Sequence, residues 1–353
     1  MIERKKTKAV RVGSVLVGGE APISVQSMTT TKTEDVEATV AQILRLEEAG
    51  CEIVRVTVPS EKAASSLSSI KKKIHIPLVA DIHFDYRLAL KAIESGVDKI
   101  RINPGNIGER RRVEAVLSAA QERGIPIRIG VNSGSLERDL IEKYDGITAD
   151  GLVESALRHV AICEEHHFDS IILSLKASDV GMMIEAYRKI SERVPYPLHL
   201  GVTEAGTPRQ GIVKSAIGIG TLLAEGIGDT IRVSLTADPV EEIRVGFDIL
   251  KSLGLRRHGM NIVACPTCGR LEVDLISIVN KVEKRLANFD KNLTISILGC
   301  AVNGPGEAAE ADVGVACGKH SALIYRKGKK VAKIREDEIV TYLVRTVENW
   351  PEE

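Results

Sequence analysis

Ile100-Arg101-Ile102-Asn103 reads as a β-strand with a cation in its middle, and the same device recurs along the chain. It returns in Val54-Arg55-Val56-Thr57, Ile127-Arg128-Ile129-Gly130, Ser174-Leu175-Lys176 and Ile231-Arg232-Val233-Ser234. Each of these belongs to a short run rich in β-branched residues. Eight such runs can be counted: Ile23–Met28, Glu52–Val58, Pro77–Ile82, Asp98–Asn103, Ile125–Val131, Asp169–Leu175, Pro197–Val202 and Asp229–Leu235. The stretches between them carry apolar residues at helical spacing, such as Val36, Val40, Ile43 and Leu44, with charges on the other face. Eight strand–helix units at a period of about 30 residues predict an α/β fold whose first part is a (β/α)8 TIM barrel. A doubly wound open sheet competes, but the Gly-rich dinucleotide turn after its first strand is missing. The fifth unit is long, with Ser133 to Gly151 inserted on the face where barrels keep their active sites.

After Lys251 the pattern changes. We expect a barrel over residues 1–252, a linker over 253–260 and a small α+β domain over 261–353. The second domain should hold a strand at Asn261–Ala264, a helix over Leu271–Leu286 and a strand ending near Cys300. Three further strands near residues 311–316, 322–326 and 330–334 should precede a last helix from Asp337. At 353 residues, one barrel plus a smaller lobe is the natural division.

Composition narrows the function. Aromatic residues make up 3% of the chain, too few to build a base-stacking surface, so nucleic acid is not a favoured partner. Forty-eight basic residues balance forty-eight acidic ones, so an anion site must come from local clustering. The charged start Met1-Ile2-Glu3-Arg4-Lys5-Lys6 leads into no apolar segment, and no run reaches membrane-spanning length. The expectation is a soluble cytoplasmic protein. Six irregularly spaced cysteines suit free thiols or metal ligands better than a disulfide framework, and Cys51 and Cys163, in apolar patterns, read as core residues.

Arg55, Arg101, Arg128, Lys176 and Arg232 lie near the ends of five strands and should converge. Five charges flanked by β-branched residues would repel one another unless a polyanion sat among them. Asn103, Asn132 and Ser234 add neutral donors, and Gly105 and Gly130 let backbone approach. Planar guanidinium forks suit phosphoryl oxygens, so a diphosphate is the natural ligand. Among the carboxylates, Asp81 and Glu204 also fall at strand ends, where either could handle a substrate hydroxyl or merely neutralise an arginine. Glu204 ranks first because it heads the turn Glu204-Ala205-Gly206 into a helix. His83 and His199 read more readily as local hydrogen-bond partners than as catalysts.

The second domain carries Cys265-Pro266-Thr267-Cys268, then Cys300, then Asn303-Gly304-Pro305-Gly306-Glu307. Three thiols and a carboxylate that can converge suit a metal site. Cys265 and Cys268 with Cys317 and His320 would instead make a structural zinc site, and spacing alone leaves zinc and iron–sulfur both open. The zinc reading pairs with a second function, a barrel transferase of a phosphorylated or pterin substrate.

These residues carry a resemblance. Gly299-Cys300-Ala301-Val302-Asn303-Gly304-Pro305-Gly306-Glu307 and Cys265-Pro266-Thr267-Cys268-Gly269-Arg270 resemble the cluster motif of the bacterial 4-hydroxy-3-methylbut-2-enyl diphosphate synthase family. Ser24–Thr29, Val79–Phe84, Arg101–Asn106, Gly130–Leu136, Leu198–Gly206 and Arg232–Thr236 are similar to that family's barrel, so the likeness covers essentially the whole chain. The resemblance implies a 4Fe-4S cluster held by Cys265, Cys268, Cys300 and Glu307. It implies two-electron reduction of 2-C-methyl-D-erythritol 2,4-cyclodiphosphate, with ring opening and loss of water, in the methylerythritol phosphate route to isoprenoids. It further implies that Arg55, Arg101, Arg128, Lys176 and Arg232 hold the diphosphate with Asn103, Asn132 and Ser234, and that Glu204 acts at the substrate hydroxyl. Ferredoxin or flavodoxin would supply electrons. The family's head-to-tail homodimer, in which one chain's cluster domain closes the other's barrel, is the expected assembly.

Overall fold

The computed structural model describes residues 2–103, 110–286, 289, 291–302 and 304–351. The chain divides between Arg256 and Arg257 into two units.

The first unit opens with a small antiparallel hairpin, β1 (Val10–Val12) and β2 (Val15–Val17). Eight parallel strands follow: β3 (Ser24–Met28), β4 (Ile53–Thr57), β5 (Leu78–Ile82), β6 (Lys99–Ile102), β7 (Ile127–Asn132), β8 (Ile171–Lys176), β9 (His199–Leu200) and β10 (Thr230–Ile231). Their order around the sheet is β8-β7-β6-β5-β4-β3-β10-β9. Leu173 of β8 bridges in parallel to Leu198, and its N–H donates to Pro197 O at 2.9 Å, which joins the two ends of the sheet. The predicted barrel is therefore present.

Helices α1 (Val36–Glu48), α2 (Glu61–Lys71), α3 (Tyr86–Glu94), α4 (Arg110–Arg123), α5 (Arg138–Lys143), α6 (Ala149–Glu165), α7 (Val180–Arg193), α8 (Pro208–Ala224) and α9 (Pro239–Ser252) surround it. Side chains of Asp35, Ser60, Asp85, Thr148, Asp179 and Asp238 accept from free N–H groups in the first turns of α1, α2, α3, α6, α7 and α9, so in these units a polar loop residue starts the helix. The apolar stripe of each helix then meets the outside of the sheet, as Val40, Ile43 and Leu46 do in α1. The long fifth unit is filled by a 3-10 turn at Ser133–Ser135 and by α5. Leu253 and Leu255 pack on the barrel core and Arg256 bonds Ile23 O and Glu52, so residues 253–256 lean on the first unit.

The inside of the barrel is graded. At the strand starts Ile53, Val79 and Ile172 pack on Val10, Val12 and Val17 of the hairpin, which seals that end. Two residues further along the same inward faces stand Arg55, Asp81 and Ser174. An apolar plug thus gives way to a polar mouth at the C-terminal end of the strands.

The second unit is a five-stranded sheet in the order β11 (Asn261–Ala264), β12 (Thr294–Leu298), β13 (Val313–Gly318), β14 (Ser321–Arg326), β15 (Lys329–Arg335). The first three are parallel and the last two antiparallel. One face packs on α10 (Leu275–Leu286) and α12 (Ile339–Glu348), with Leu275, Ile278, Val282, Leu343 and Val347 against Ile295, Ile297, Val313, Val315 and Ile324. The other face receives α11 (Gly304–Glu310) so closely that a Cβ on Gly314 would lie 1.9 Å from Ala308 O.

Candidate functional site

Arg55, Arg101, Arg128, Lys176 and Arg232 occupy inward positions on β4, β6, β7, β8 and just past β10. They lie close enough to perturb one another's protonation: Lys176 is disfavoured as a cation first by burial and then by Arg128, Arg232, Arg55 and Arg101. Burial, then Arg232 and Arg101 acting against Asp81, brings Arg55 down to about 10. Arg128 is 1% exposed, and its Nε and Nη1 have no partner among the described residues. A buried guanidinium with open donors is a preformed seat for an anion, because desolvation strengthens whatever charge-assisted bond it makes.

Two carboxylates hold part of this set in place. Asp81 on β5 meets Arg101 Nη1 at 2.9 Å, Arg55 Nε at 3.5 Å and His83 Nε2 at 3.4 Å. Burial alone would raise its carboxyl, but Arg55, His83 and Arg101 outweigh that and hold it well below the usual range. Glu242 in the first turn of α9 takes Arg232 in a fork, 3.0 Å and 3.2 Å, and also accepts from Ser27 Oγ and Leu235 N. Five basic side chains share two buried carboxylates, Asp81 and Glu242, so the interior of the mouth is basic.

Glycines make room for the cations. A Cβ on Gly130 would stand 2.6 Å from Arg101 Nε, and one on Gly201 would stand 2.6 Å from Lys176 Nζ. Each side chain therefore lies across a neighbouring strand where any other residue would push it away. Arg101 Nη2 also donates to Gly130 O at 3.2 Å and, with the Asn132 amide oxygen turned toward it, to Asn132 at 3.2 Å. Asn103 Nδ2 donates to Ser135 Oγ at 2.8 Å, and Ser234 is half-buried just beyond Arg232. Gly105 lies outside the described residues.

Glu204 is exposed at the mouth and has φ +52°, the left-handed region that a glutamate rarely adopts. Its loop is fastened on both sides: Thr203 N donates to Ala177 O at 3.2 Å, Thr236 N to Gly206 O at 3.0 Å, and Ala205 is buried between. A strained backbone held by its surroundings is common where a side chain must be aimed.

Several residues here escaped the sequence reading. Lys99, two positions before Arg101, is fully buried with Gln26 Oε1 at 3.4 Å. His199 on β9, expected to be a local hydrogen-bond partner, is instead fully buried with neither ring nitrogen bonded among the described residues, because it faces the cations of the barrel interior. Burial foremost, and then neighbouring cations, keeps the charged forms of both disfavoured. Met28 accepts from Arg55 through its sulfur, and Glu242 was not singled out at all. The signal for Lys99 was present in the i, i+2 spacing Lys99, Arg101, Asn103.

In the second unit the parallel pairing of β11 and β12 brings the turn after Ala264 beside the end of β12. Gly299 N donates to Cys265 Sγ at 3.3 Å, and Glu272 N to Gly299 O at 3.0 Å, which ties the Cys265–Cys268 turn to the residue before Cys300. Cys268 is exposed and Cys300 half-buried, while Glu307 is exposed on α11. Among the described residues no three His, Cys, Asp or Glu are gathered closely enough to hold a metal, so neither the iron–sulfur set nor the zinc set is closed. The donor chemistry nevertheless fits a cluster. The Cys265 turn and the end of the strand before Cys300 lie side by side, and an amide already donates to the Cys265 sulfur, a contact of the kind that cluster thiolates receive. Cys317 differs from the others: it is buried in the core, burial pushes its thiol up to about 12, and it stays protonated beside Cys265 and Cys300. Cys51 and Cys163 are buried, as expected of core residues.

A family model described as the GcpE TIM-barrel domain matches residues 7–247, and one described as the GcpE protein C-terminal domain matches residues 261–349. A 4-hydroxy-3-methylbut-2-en-1-yl diphosphate synthase (flavodoxin) of Symbiobacterium thermophilum is 60% identical over 348 residues, covering 99% of this chain and 94% of that one. The protein of the same name from Clostridium tetani is 58% identical over 348 residues, covering 99% and 100%. Among solved structures, the dihydropteroate synthase of Yersinia pestis aligns with TM-score 0.51 at 12% identity, over 70% of this chain and 98% of that one. The 3-dehydroquinate dehydratase of Geobacillus kaustophilus aligns with TM-score 0.50 at 14% identity, over 69% and 97%. These last two are likenesses of fold.

Proposed function

Because this chain belongs to the GcpE family, we infer that it converts 2-C-methyl-D-erythritol 2,4-cyclodiphosphate to 4-hydroxy-3-methylbut-2-enyl diphosphate. It is an oxidoreductase of isoprenoid biosynthesis, and its reaction is a two-electron reductive ring opening with loss of water. Identity of 58–60% over nearly the whole chain displaces the competing expectation of a transferase with a zinc lobe. In balance, the cyclic diphosphate takes two electrons and two protons, one C–O bond to phosphate opens, and one hydroxyl leaves as water.

The observation that carries the residue assignment is the inward set of five cations against two carboxylates. Arg55, Arg101, Arg128, Lys176 and Arg232 bind the diphosphate, with Asn103, Asn132 and Ser234 donating beside them. Asp81 and Glu242 hold Arg101, Arg55 and Arg232 at fixed angles, so little order is lost on binding. Glu204, aimed by its strained loop, accepts from the substrate hydroxyl and handles the proton that accompanies its loss. Cys265, Cys268, Cys300 and Glu307 would hold a 4Fe-4S cluster, which when bound supplies single electrons and a Lewis-acidic iron. Glu307, a hard oxygen donor among thiolates, makes its own position the most readily exchanged.

Residues 1–252 serve as the substrate domain and 261–353 as the cluster domain, with the linker 253–260 between. Flavodoxin, named with the relatives, is the favoured electron donor and ferredoxin the alternative. The head-to-tail homodimer remains the proposed assembly. Its support is the outer face of α8, where the apolar residues Ile212, Val213 and Ile217 are exposed, the last two 55% and 53% in that order. The proposed location is the cytoplasm, and no described helix is long and apolar enough to cross a membrane.

Glu204→Gln tests the assignment of the proton step. Under strict anaerobiosis it should keep the parent's iron content and substrate affinity while product formation falls by roughly a hundredfold or more. Normal turnover would reduce Glu204 to a charge balance for the arginines.

A further inference from the structure

Between Asp312 and Glu336 the chain carries seven Lys or Arg and no Asp or Glu, in a protein whose charges otherwise cancel. This segment is β13, the turn at Lys319-His320, β14, and the edge strand β15. Three of the seven cations have local work. Arg326 and Lys327 lie over the Trp350 ring at 4.4 Å and 5.9 Å, and Arg335 pairs with Asp337 at 2.9 Å. Lys319, Lys329, Lys330 and Lys333 are exposed, and none of them is ion-paired among the described residues. Charges on an edge strand guard it against pairing with another sheet, but that purpose reaches neither Lys319 in the preceding turn nor the complete lack of anions.

The register places this strip relative to the thiols. Leu298, Ala316, Leu323 and Lys333 stand in one row across β12, β13, β14 and β15. Lys333 is therefore about 14 Å, three strand spacings, from the residue two positions before Cys300. Lys319 is two residues beyond Cys317, whose thiol lies within electrostatic reach of Cys265 and Cys300. Ala316 also meets α11, since a Cβ on Gly304 would stand 2.8 Å from its own Cβ. Lys333 thus shares a sheet face with the helix that carries Glu307.

We propose that the strip formed by Lys319, Lys329, Lys330 and Lys333 is the docking surface for the electron donor, a small acidic flavin-carrying protein. This rests on the reading of the chain as a flavodoxin-dependent reductase. Opposite charges raise the encounter rate and orient a transient partner whose interface is small, and such attraction weakens as salt screens it. Each docked donor is oxidised by one electron, and two successive dockings supply the two electrons that one substrate consumes. The protons come from water.

The test is steady-state turnover of the anaerobic holoenzyme with reduced flavodoxin, and separately with a reduced viologen too small to need a docking surface. The variant Lys329→Glu/Lys330→Glu/Lys333→Glu should lose roughly tenfold or more in kcat/KM for flavodoxin at low salt, with viologen turnover and iron content unchanged. The flavodoxin rate of the unaltered enzyme should fall as ionic strength rises to physiological values, and that of the variant should not. Equal flavodoxin kinetics in the two proteins overturns the surface while leaving the donor reading intact. An unaltered enzyme that turns over with viologen and takes nothing from flavodoxin overturns both. Should the variant lose only retention on duplex DNA or heparin, with flavodoxin kinetics untouched, the strip is a general polyanion surface and the proposal fails.

Discussion

In the barrel mouth Arg101 is held by Asp81 at 2.9 Å, by Gly130 O and by the Asn132 amide, while Arg232 is forked onto Glu242. At the thiol end of the second unit, Cys265 receives one amide donor, Cys268 is exposed, and among the described residues no metal-binding set is closed. The first region has its geometry before its ligand arrives, because Asp81 and Glu242 fix Arg101, Arg55 and Arg232 while buried Arg128 keeps open donors for the anion. The second sets the Cys265 turn beside the strand end before Cys300 and holds no closed set, so on the proposed reading the cluster itself would draw its ligands together, as metal sites that form on binding do. Substrate recognition and electron supply should therefore fail separately.

The largest expected effect is at the thiols. Cys300→Ser should lose most of the iron and sulfide of anaerobically prepared protein, whereas Cys317→Ser should keep about four irons per chain, the content of one cubane. The reverse result would move the ligand set to the buried thiol and restore a zinc-like arrangement.

Gly130→Ala probes how far the barrel's preformed geometry matters. The added methyl must displace the Arg101 guanidinium by overpacking, at a cost of about 1 to 3 kcal/mol, so kcat/KM should fall roughly tenfold with iron content unchanged. Full activity would mean that Arg101 need not lie across β7.

A smaller effect follows from charge. Burial and four neighbouring arginines lower Lys176 well below its ordinary value in the ligand-free barrel. The folded value lies below the unfolded one, so the fold gains stability as pH rises from the lowered value toward 10.5. On the proposed assignment a bound diphosphate would restore the charged amine. Its binding should take up protons and tighten as pH falls through that window, which calorimetry in buffers of differing ionisation enthalpy would read. Proton release would show that Lys176 does not face the anion.

The barrel was legible because each of its eight strands is a β-branched run bracketed by helical periodicity. The hairpin β1–β2 was not, since three-residue strands show no period and gain their order from plugging the barrel on Ile53, Val79 and Ile172. The five cations were legible from one motif repeated at strand ends. Glu242 was hidden because an acid in a first helical turn looks like a complement to the helix dipole, and only the barrel's closure brings it to Arg232. Lys99 was passed over because it opens its strand, where a lysine ordinarily marks a solvated edge. The thiol ligands could be named from resemblance alone; their sequence spacing suited zinc equally well.

The division of labour between the two regions can be tested directly by titrating inorganic pyrophosphate into Cys300→Ser and into Arg101→Ala by calorimetry. The account predicts that Cys300→Ser, depleted of iron, binds pyrophosphate as the unaltered chain does. It predicts that Arg101→Ala, with its iron intact, loses about 2 to 4 kcal/mol of that affinity. Unchanged binding by Arg101→Ala together with lost binding by Cys300→Ser would place the anion site at the thiols and contradict the account.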